Sequence, residues 1–433
     1  MSADAPIDRL RTTRGACALL ESSHSAGPRS RRTLLARHPR AILIADGVRT
    51  TITTAGGTRT LEGDALDHLR RLHAEYRGAR PDDGAVFGAL AYDYARPRQA
   101  HPSAPRLIAL AVDRVEILED GVWRTPPDVV GDATPLDAPL SPIDPEEPPI
   151  AARPPIDLAL HSNLTRAEYR ARVLRLQQHI GVGDIYQANL SQRFRMRWPG
   201  SGLDLYTHLR ERSPSPFGGY LRVGGLEIAS ASPERLVLVD GDQLSTRPIA
   251  GTRPRAKDPA ADRALAEELL LSEKERAEHL MLVDLARNDL GRVARVGTVE
   301  VDELMAVEDY SHVRHIVSNV AAALAPGRDA IDALRALFPG GTITGVPKIR
   351  CMDILDQLEG PPRGFYTGAL FYWTASGRLD ANILIRSATV TGGTATFNTG
   401  AGIVADSDPD FEYEETLHKA EGMRVAMEAA LGR

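Results

Sequence analysis

Between residues 126 and 155 the chain carries 10 of its 30 prolines, in the run PPDVVGDATPLDAPLSPIDPEEPPIAARPP. Proline has no N–H to donate and a fixed φ, so neither a helix nor a central strand can cross this stretch. An extended or partly disordered connector is expected there. It separates an N-terminal segment, 1–125, from a larger C-terminal segment, 156–433. No internal repeat and no second low-complexity tract accompany it.

The 433 residues are 42% hydrophobic and 25% charged, enough to bury a real core. A net charge of −6 excludes a nucleic-acid footprint, so an anionic substrate has to be captured by local cations. The two cysteines, Cys17 and Cys351, are far apart and in no metal-ligand spacing, which points to a reducing compartment. No apolar run approaches membrane-spanning length, the opening MSADAPIDRLRTTRG is no secretory signal, and Arg31-Arg32 lacks the apolar stretch of an export signal. The expected location is the cytoplasm.

Past the connector, local patterns sharpen. Thr165 and Glu168 have capping-box spacing, followed by Tyr169, Val173, Leu176 and Ile180 at helical period, with Gly181 and Gly183 to end the helix. From Tyr186 to Trp198 the chain alternates. Tyr186, Ala188, Leu190, Phe194, Met196 and Trp198 share one face; Gln187, Asn189, Ser191, Arg193, Arg195 and Arg197 share the other, as in a long strand with one polar side. Ser272 and Glu275 repeat the capping-box spacing before a second helix. Asp408-Pro409 opens a third, with Thr416, Ala420, Met423, Met427 and Leu431 as its buried stripe. AILIADGV and RLIALAVDRVEIL read as strands in the first segment. The mixture predicts an α+β fold with large antiparallel sheets.

Several groups could carry chemistry, each with a plainer reading beside it. Glu275 and Glu278 sit at i and i+3, and Glu412, Glu415 and Lys419 at i, i+3 and i+7, so each set shares one helix face. Isolated helix faces of this kind are usually just solvated, although two facing carboxylate pairs would suit Mg²⁺. FPGGTITGVPK lacks the spacing of a phosphate-cradling loop. NTGAGIV reads as a tight turn, whose bare N–H groups at Gly400 and Gly402 could meet a carboxylate. Gly251 and Thr252 read as a turn flanked by solvated Arg247, Arg253 and Arg255. Glu234 would ordinarily be a surface residue and His315 a structural histidine.

In order along the chain, GDIYQANLSQRF, SPERL, RPIAGTRPR, AEHLMLVDLARNDLGRV, HVRHIVS, FPGGTITGVPK, GFYTGAL, ILIRSA, TGAGIVADS and YEETLHKA resemble the chorismate-utilising enzymes. That group comprises anthranilate synthase component I, aminodeoxychorismate synthase component I, isochorismate synthase and salicylate synthase. The resemblance implies one catalytic body of two large antiparallel sheets packed as a sandwich with flanking helices, to which the N-terminal segment adds strands. It implies Mg²⁺ bound by Glu278 and Glu415, assisted through water by Glu275 and Glu412. Tyr366, Arg386 and Lys419 would take the enolpyruvyl carboxylate, with Gly400, Ala401 and Gly402 beside them. Gly251, Thr252, His315 and Thr342 would line the ring, and Glu234 would protonate the departing C4 hydroxyl.

Two positions bear on the branch. Members that add water activate it with a lysine where this chain has Gln187, so the resemblance implies ammonia as nucleophile. Many aminodeoxychorismate synthases attack C2 with a lysine where this chain has Ala250, a residue found in anthranilate synthases. YQANLSQRF and FPGGTITG nonetheless look like the aminodeoxychorismate branch, a subclass of which carries alanine and works through non-covalent 2-amino-2-deoxyisochorismate. That branch, leading to p-aminobenzoate and folate, is favoured; anthranilate synthase component I is the alternative. LLES (Leu19–Ser22), RRTLL and SPSPF resemble a tryptophan pocket built on Ser22, Pro216, Phe217 and Gly218, which either branch can keep. A catalytically inactive tryptophan-binding subunit is the remote alternative. No glutaminase cysteine is present, so a separate glutamine amidotransferase subunit would supply ammonia. No nucleic-acid or membrane partner is implied.

Overall fold

The computed structural model describes residues 5–21, 32–76, 84–96, 105–124, 136–138, 160–310 and 313–431. The proline-rich connector, apart from 136–138, and Ser22 lie outside the described residues.

Two antiparallel sheets dominate. One runs in the order His161–Ser162, Gln187–Arg197, Thr394–Ile403, Ser387–Thr391, Leu226–Ser232, Phe217–Val223, Cys17–Glu21, Arg32–Arg37, Glu116–Glu119 and Val122–Trp123, with Gly345–Val346 paired beside Gln187–Arg197. The other runs Ile249–Pro254, Val313–Ala323, Gln243–Thr246, Arg235–Asp240, Leu379–Asn382, Ala369–Thr374, Ala85–Leu90, Leu107–Val112, Ala41–Ala45, Arg49–Thr54 and Gly57–Glu62, with Glu300–Asp309 beside Val313–Ala323. In both sheets strands from before residue 125 pair directly with strands from after 160: Cys17–Glu21 with Phe217–Val223, and Ala85–Leu90 with Ala369–Thr374.

The inner faces meet in one apolar layer. Ala18, Leu34, Leu221 and Ile228 of the first sheet lie against Ile42, Phe87, Ile108 and Leu370 of the second, a sheet-on-sheet core. Helices cover the outer faces. The Ala65–Glu75 and Ala330–Leu337 helices pack on the second sheet through Leu66, Leu69, Ile331 and Leu334. The Gly202–Arg212 and Pro409–Ala430 helices pack on the first through Leu205, Tyr206, Met423 and Met427. The α+β sandwich implied by the sequence is what the chain forms. Among the described residues no helix is long and apolar enough to cross a membrane.

The helix signals were sound where they depended on near neighbours. The Arg166–Gly181 helix has the full Thr165–Glu168 capping box, and Asp408 caps the Pro409–Ala430 helix, accepting from the N–H groups of Asp410 and Phe411. The Ser272 box is only half made. Ser272 accepts from the Glu275 N–H, but the Glu275 carboxylate turns away to Arg253, 3.1 Å from Nη1.

Candidate active site

The polar face of Gln187–Arg197 does not look out to water. Gln187, Asn189, Ser191 and Arg193 are all buried, and Gln187 and Asn189 form one wall of a cavity of about 1060 Å³. Tyr186, placed by period on the apolar face, is 67% exposed because the strand begins one residue later. The cavity opens where Gln187–Arg197 and Thr394–Ile403 of one sheet approach Ile249–Pro254 and Val313–Ala323 of the other, under the Glu273–Gly291 and Pro409–Ala430 helices.

Three local structures differ from the sequence reading. NTGAGIV is the end of a strand, not a turn. Its glycines are required by close approach: a Cβ at Gly400 would stand 2.6 Å from Asn189 Oδ1 and 2.9 Å from the Tyr366 hydroxyl, and one at Gly402 would stand 2.8 Å from Gln187 Nε2. Gly251-Thr252 is a bulge inside a strand, since the pairing with Val313–Ala323 slips between Ala250 and Thr252. Gly251 carries φ +61° there, the conformation a bulge needs and glycine supplies. The flanking arginines are paired: Arg247 with Glu303 and Glu308, Arg253 with Glu268 and Glu275, Arg255 with Asp262 and Asp309.

Glu234, expected at the surface on bare statistics, is buried. Its carboxylate accepts from the Thr342 hydroxyl at 2.8 Å. Burial raises its pKa to about 7, only partly offset by the bonds from Thr342 and the Ile249 backbone. His315 is buried with Nδ1 3.0 Å from the Gly251 carbonyl and 3.0 Å from Thr252 Oγ1. Burial lowers its pKa to about 4, so the ring is neutral at pH 7. With Nδ1–H donating to Gly251, Nε2 is a bare acceptor, and it has no partner. Ala250 presents only a methyl group to the same wall.

Opposite lie the carboxylates. Gln187 Nε2 donates to Glu278 Oε1 at 2.7 Å. Burial, and then the charges of Glu275 and Glu415, raise the Glu278 pKa. Burial raises Glu412 to about 7, with Glu415 adding to it. Glu415 pairs with Lys419 at 2.6 Å, and Lys419 Nζ also donates to the Gly400 carbonyl at 2.8 Å. Among the described residues no three His, Cys, Asp or Glu side chains close round an ion by themselves. The donor set still fits Mg²⁺, a hard cation that commonly keeps waters and takes one or two carboxylates. Arg386, at φ +50°, faces the cavity with Tyr366.

All the ring, carboxylate and acidic residues named from sequence line this one cavity except Ala401. Ala401 is fully buried on the opposite side of its strand, among Leu190 and Tyr169. Pro216, Phe217 and Gly218 do not line it either; the Arg235 guanidinium stacks on the Phe217 ring, 4.8 Å from its centroid. Asn189, Lys274, Tyr310 and Asn398 line the cavity and were not singled out. Asn189 could have been, because it shares the period-2 face with Gln187.

The sequence model for chorismate binding enzymes matches residues 17–425. The chain belongs to this family. Anthranilate synthase component 1 of Streptomyces coelicolor is 43% identical over 399 residues, 85% of this chain and 78% of that protein. Aminodeoxychorismate synthase component 1 of Bacillus subtilis is 41% identical over 405 residues, 88% of this chain and 86% of that protein. Among solved structures, anthranilate synthase component I from Streptococcus pneumoniae superposes with a TM-score of 0.75 at 29% identity, covering 92% of this chain and 93% of that one. The menaquinone-specific isochorismate synthase of Escherichia coli shares the fold, with a TM-score of 0.70 at 18% identity over 98% of this chain and 92% of its own. The chain is a chorismate-utilising enzyme of the group that contains anthranilate and aminodeoxychorismate synthases.

Proposed function

We propose that this chain is aminodeoxychorismate synthase component I, aminating chorismate with ammonia delivered by a separate glutamine amidotransferase subunit. The observation that carries the choice of nucleophile is Gln187: its amide is committed to Glu278, and its carbonyl oxygen is buried without a partner. A glutamine amide cannot take a proton from water, whereas its bare acceptor can hold an N–H of ammonia. Ala250 has no amine, so the first nitrogen arrives without a covalent link to the protein.

Chorismate is a dianion, and its entry into a closed cavity needs compensating cations. Arg386 and Lys419, with the Tyr366 hydroxyl, would take the enolpyruvyl carboxylate. Glu278 and Glu415 would hold Mg²⁺ directly, with Glu275 and Glu412 behind them through water; the ion, when bound, would neutralise the ring carboxylate. Ammonia then forms the C2–N bond, the ring double bonds shift, and the C4–O bond breaks. The proton of Glu234 leaves with the oxygen as water. In the favoured branch a second ammonia then forms the C4–N bond while the first amine departs from C2.

Ala250 also suits the second reading, anthranilate synthase component I, in which the C2 amine is kept and pyruvate is lost. One experiment separates them: chorismate, ammonium and Mg²⁺ with the purified chain, with and without an aminodeoxychorismate lyase. p-Aminobenzoate that appears only with the lyase supports the first reading. Anthranilate fluorescence without it overturns that reading in favour of the second. Chorismate left untouched sinks both.

A further inference from the structure

Arg363 lines no part of the cavity and belongs to none of the groups described above, yet it is only 4% exposed. Every one of its five N–H donors is used. Nε and Nη2 grip the Glu359 carboxylate at 2.7 and 2.6 Å. Nη1 donates to the Ile343 carbonyl at 2.8 Å and to Thr367 Oγ1 at 3.1 Å, and Nη2 to the Asn189 carbonyl at 2.7 Å. Its guanidinium also lies over two rings, 4.6 Å from the centroid of Tyr92 and 5.7 Å from that of Tyr366.

The three acceptors other than Glu359 line or adjoin the cavity wall. Ile343 follows Thr342, Thr367 follows Tyr366, and Asn189 is itself in the wall. The Asn189 side chain closes the set: its Oδ1 and the Tyr366 hydroxyl both crowd Gly400, and its Nδ2 donates to the same Ile343 carbonyl at 3.2 Å. The next residue, Gly364, is fastened from the N-terminal segment: its N–H donates to Asp93 Oδ2 at 2.7 Å, and its carbonyl accepts from the Tyr92 N–H at 2.8 Å.

A buried Arg–Glu pair is poor evidence of stabilisation, because desolvation offsets most of the attraction. Spending the other three donors on three separate segments has a more specific consequence. We propose that Arg363 is a positioning residue for chorismate binding, fixing Tyr366 against Asn189 and the Thr342 loop, and that it acts on the substrate through Tyr366. This rests on the reading of Tyr366 as a carboxylate ligand. Lysine at 363 could keep the pair with Glu359 but could not reach all three remaining acceptors.

The test is a double-mutant cycle between Arg363→Lys and Tyr366→Phe, read as chorismate KM and kcat at saturating ammonium. R363K is expected to raise chorismate KM about tenfold, the equivalent of one charge-assisted hydrogen bond, with kcat within about twofold. In the Y366F background the same substitution is expected to change KM by less than about twofold. A folded R363K with unchanged KM overturns the proposal, as does an R363K effect that simply multiplies that of Y366F. Should R363K not fold, E359Q/R363M removes both charges together and enters the same cycle. If the wild-type chain consumes no chorismate, the functional reading has failed on its own, and calorimetric chorismate Kd replaces KM in the cycle.

Discussion

Gln187 donates its side-chain amide to Glu278 at 2.7 Å and keeps its own carbonyl oxygen buried and unpaired. The bond fixes which end of the amide faces the cavity. If that oxygen holds ammonia, Gln187→Met should raise the KM for ammonium about tenfold while leaving chorismate KM within about twofold. Initial rates over an ammonium titration check this. An unchanged ammonium KM would remove Gln187 from the nucleophile's path.

Glu234 carries the pH dependence. With its pKa near 7, the protonated form needed for departure of the C4 hydroxyl is lost as pH rises, so kcat should fall about tenfold per unit above that value. Glu234→Gln should cost about 10²–10⁴ in kcat and flatten this limb. Stability moves in the same direction. A folded pKa raised above the unfolded value means the folded state binds the extra proton between about 4.5 and 7, so stability declines through that window. At pH 8 the E234Q protein should therefore melt at a higher temperature than the wild type, measured by calorimetry.

Gly400 leaves no room for a side chain. Gly400→Ala would press a methyl group against Asn189 Oδ1 and the Tyr366 hydroxyl, an overpacking that costs about 1–3 kcal/mol. Chorismate turnover should drop far more than the melting temperature. Equal losses in both would mean that Gly400 matters only for folding.

The raised pKa values of Glu278 and Glu412 are those of buried carboxylates that both face the charge of Glu415. Mg²⁺ bound there would relieve the repulsion, so added Mg²⁺ should raise the melting temperature at pH 7.5, in proportion to the logarithm of its concentration above Kd. EDTA should reverse the shift and stop turnover. Glu278→Gln should abolish the thermal shift; its survival in that variant would place the ion elsewhere.

Lys348 and Asp289 form a buried pair at 2.6 Å behind the Thr342 loop, with Lys348 also donating to the Leu337 carbonyl at 3.0 Å. Lys348→Met leaves the Asp289 charge buried and uncompensated, which should cost about 3–5 kcal/mol. Adding Asp289→Leu should recover much of it. Urea denaturation of the single and double variants gives the comparison.

Whatever depends on neighbours along the chain was legible in the residues alone. Thr165 and Glu168 close their box because they are three residues apart, Asp408-Pro409 starts its helix for the same kind of reason, and the period of two makes 187–197 a strand wherever it lies. The ordered motifs likewise named the residues that meet in one cavity. What those residues face was set by long-range packing. Glu234 becomes a buried acid because Thr342, 108 positions on, folds over it. The Gln187 side of the strand becomes a cavity wall because the helix bearing Glu278 covers it. Gly400 lies in a strand and not a turn because Gln187–Arg197 pairs with it, and Glu275 leaves its cap because Arg253 offers a charge. Burial, pairing and charge are set by segments distant in sequence, and no local pattern encodes which distant segment arrives.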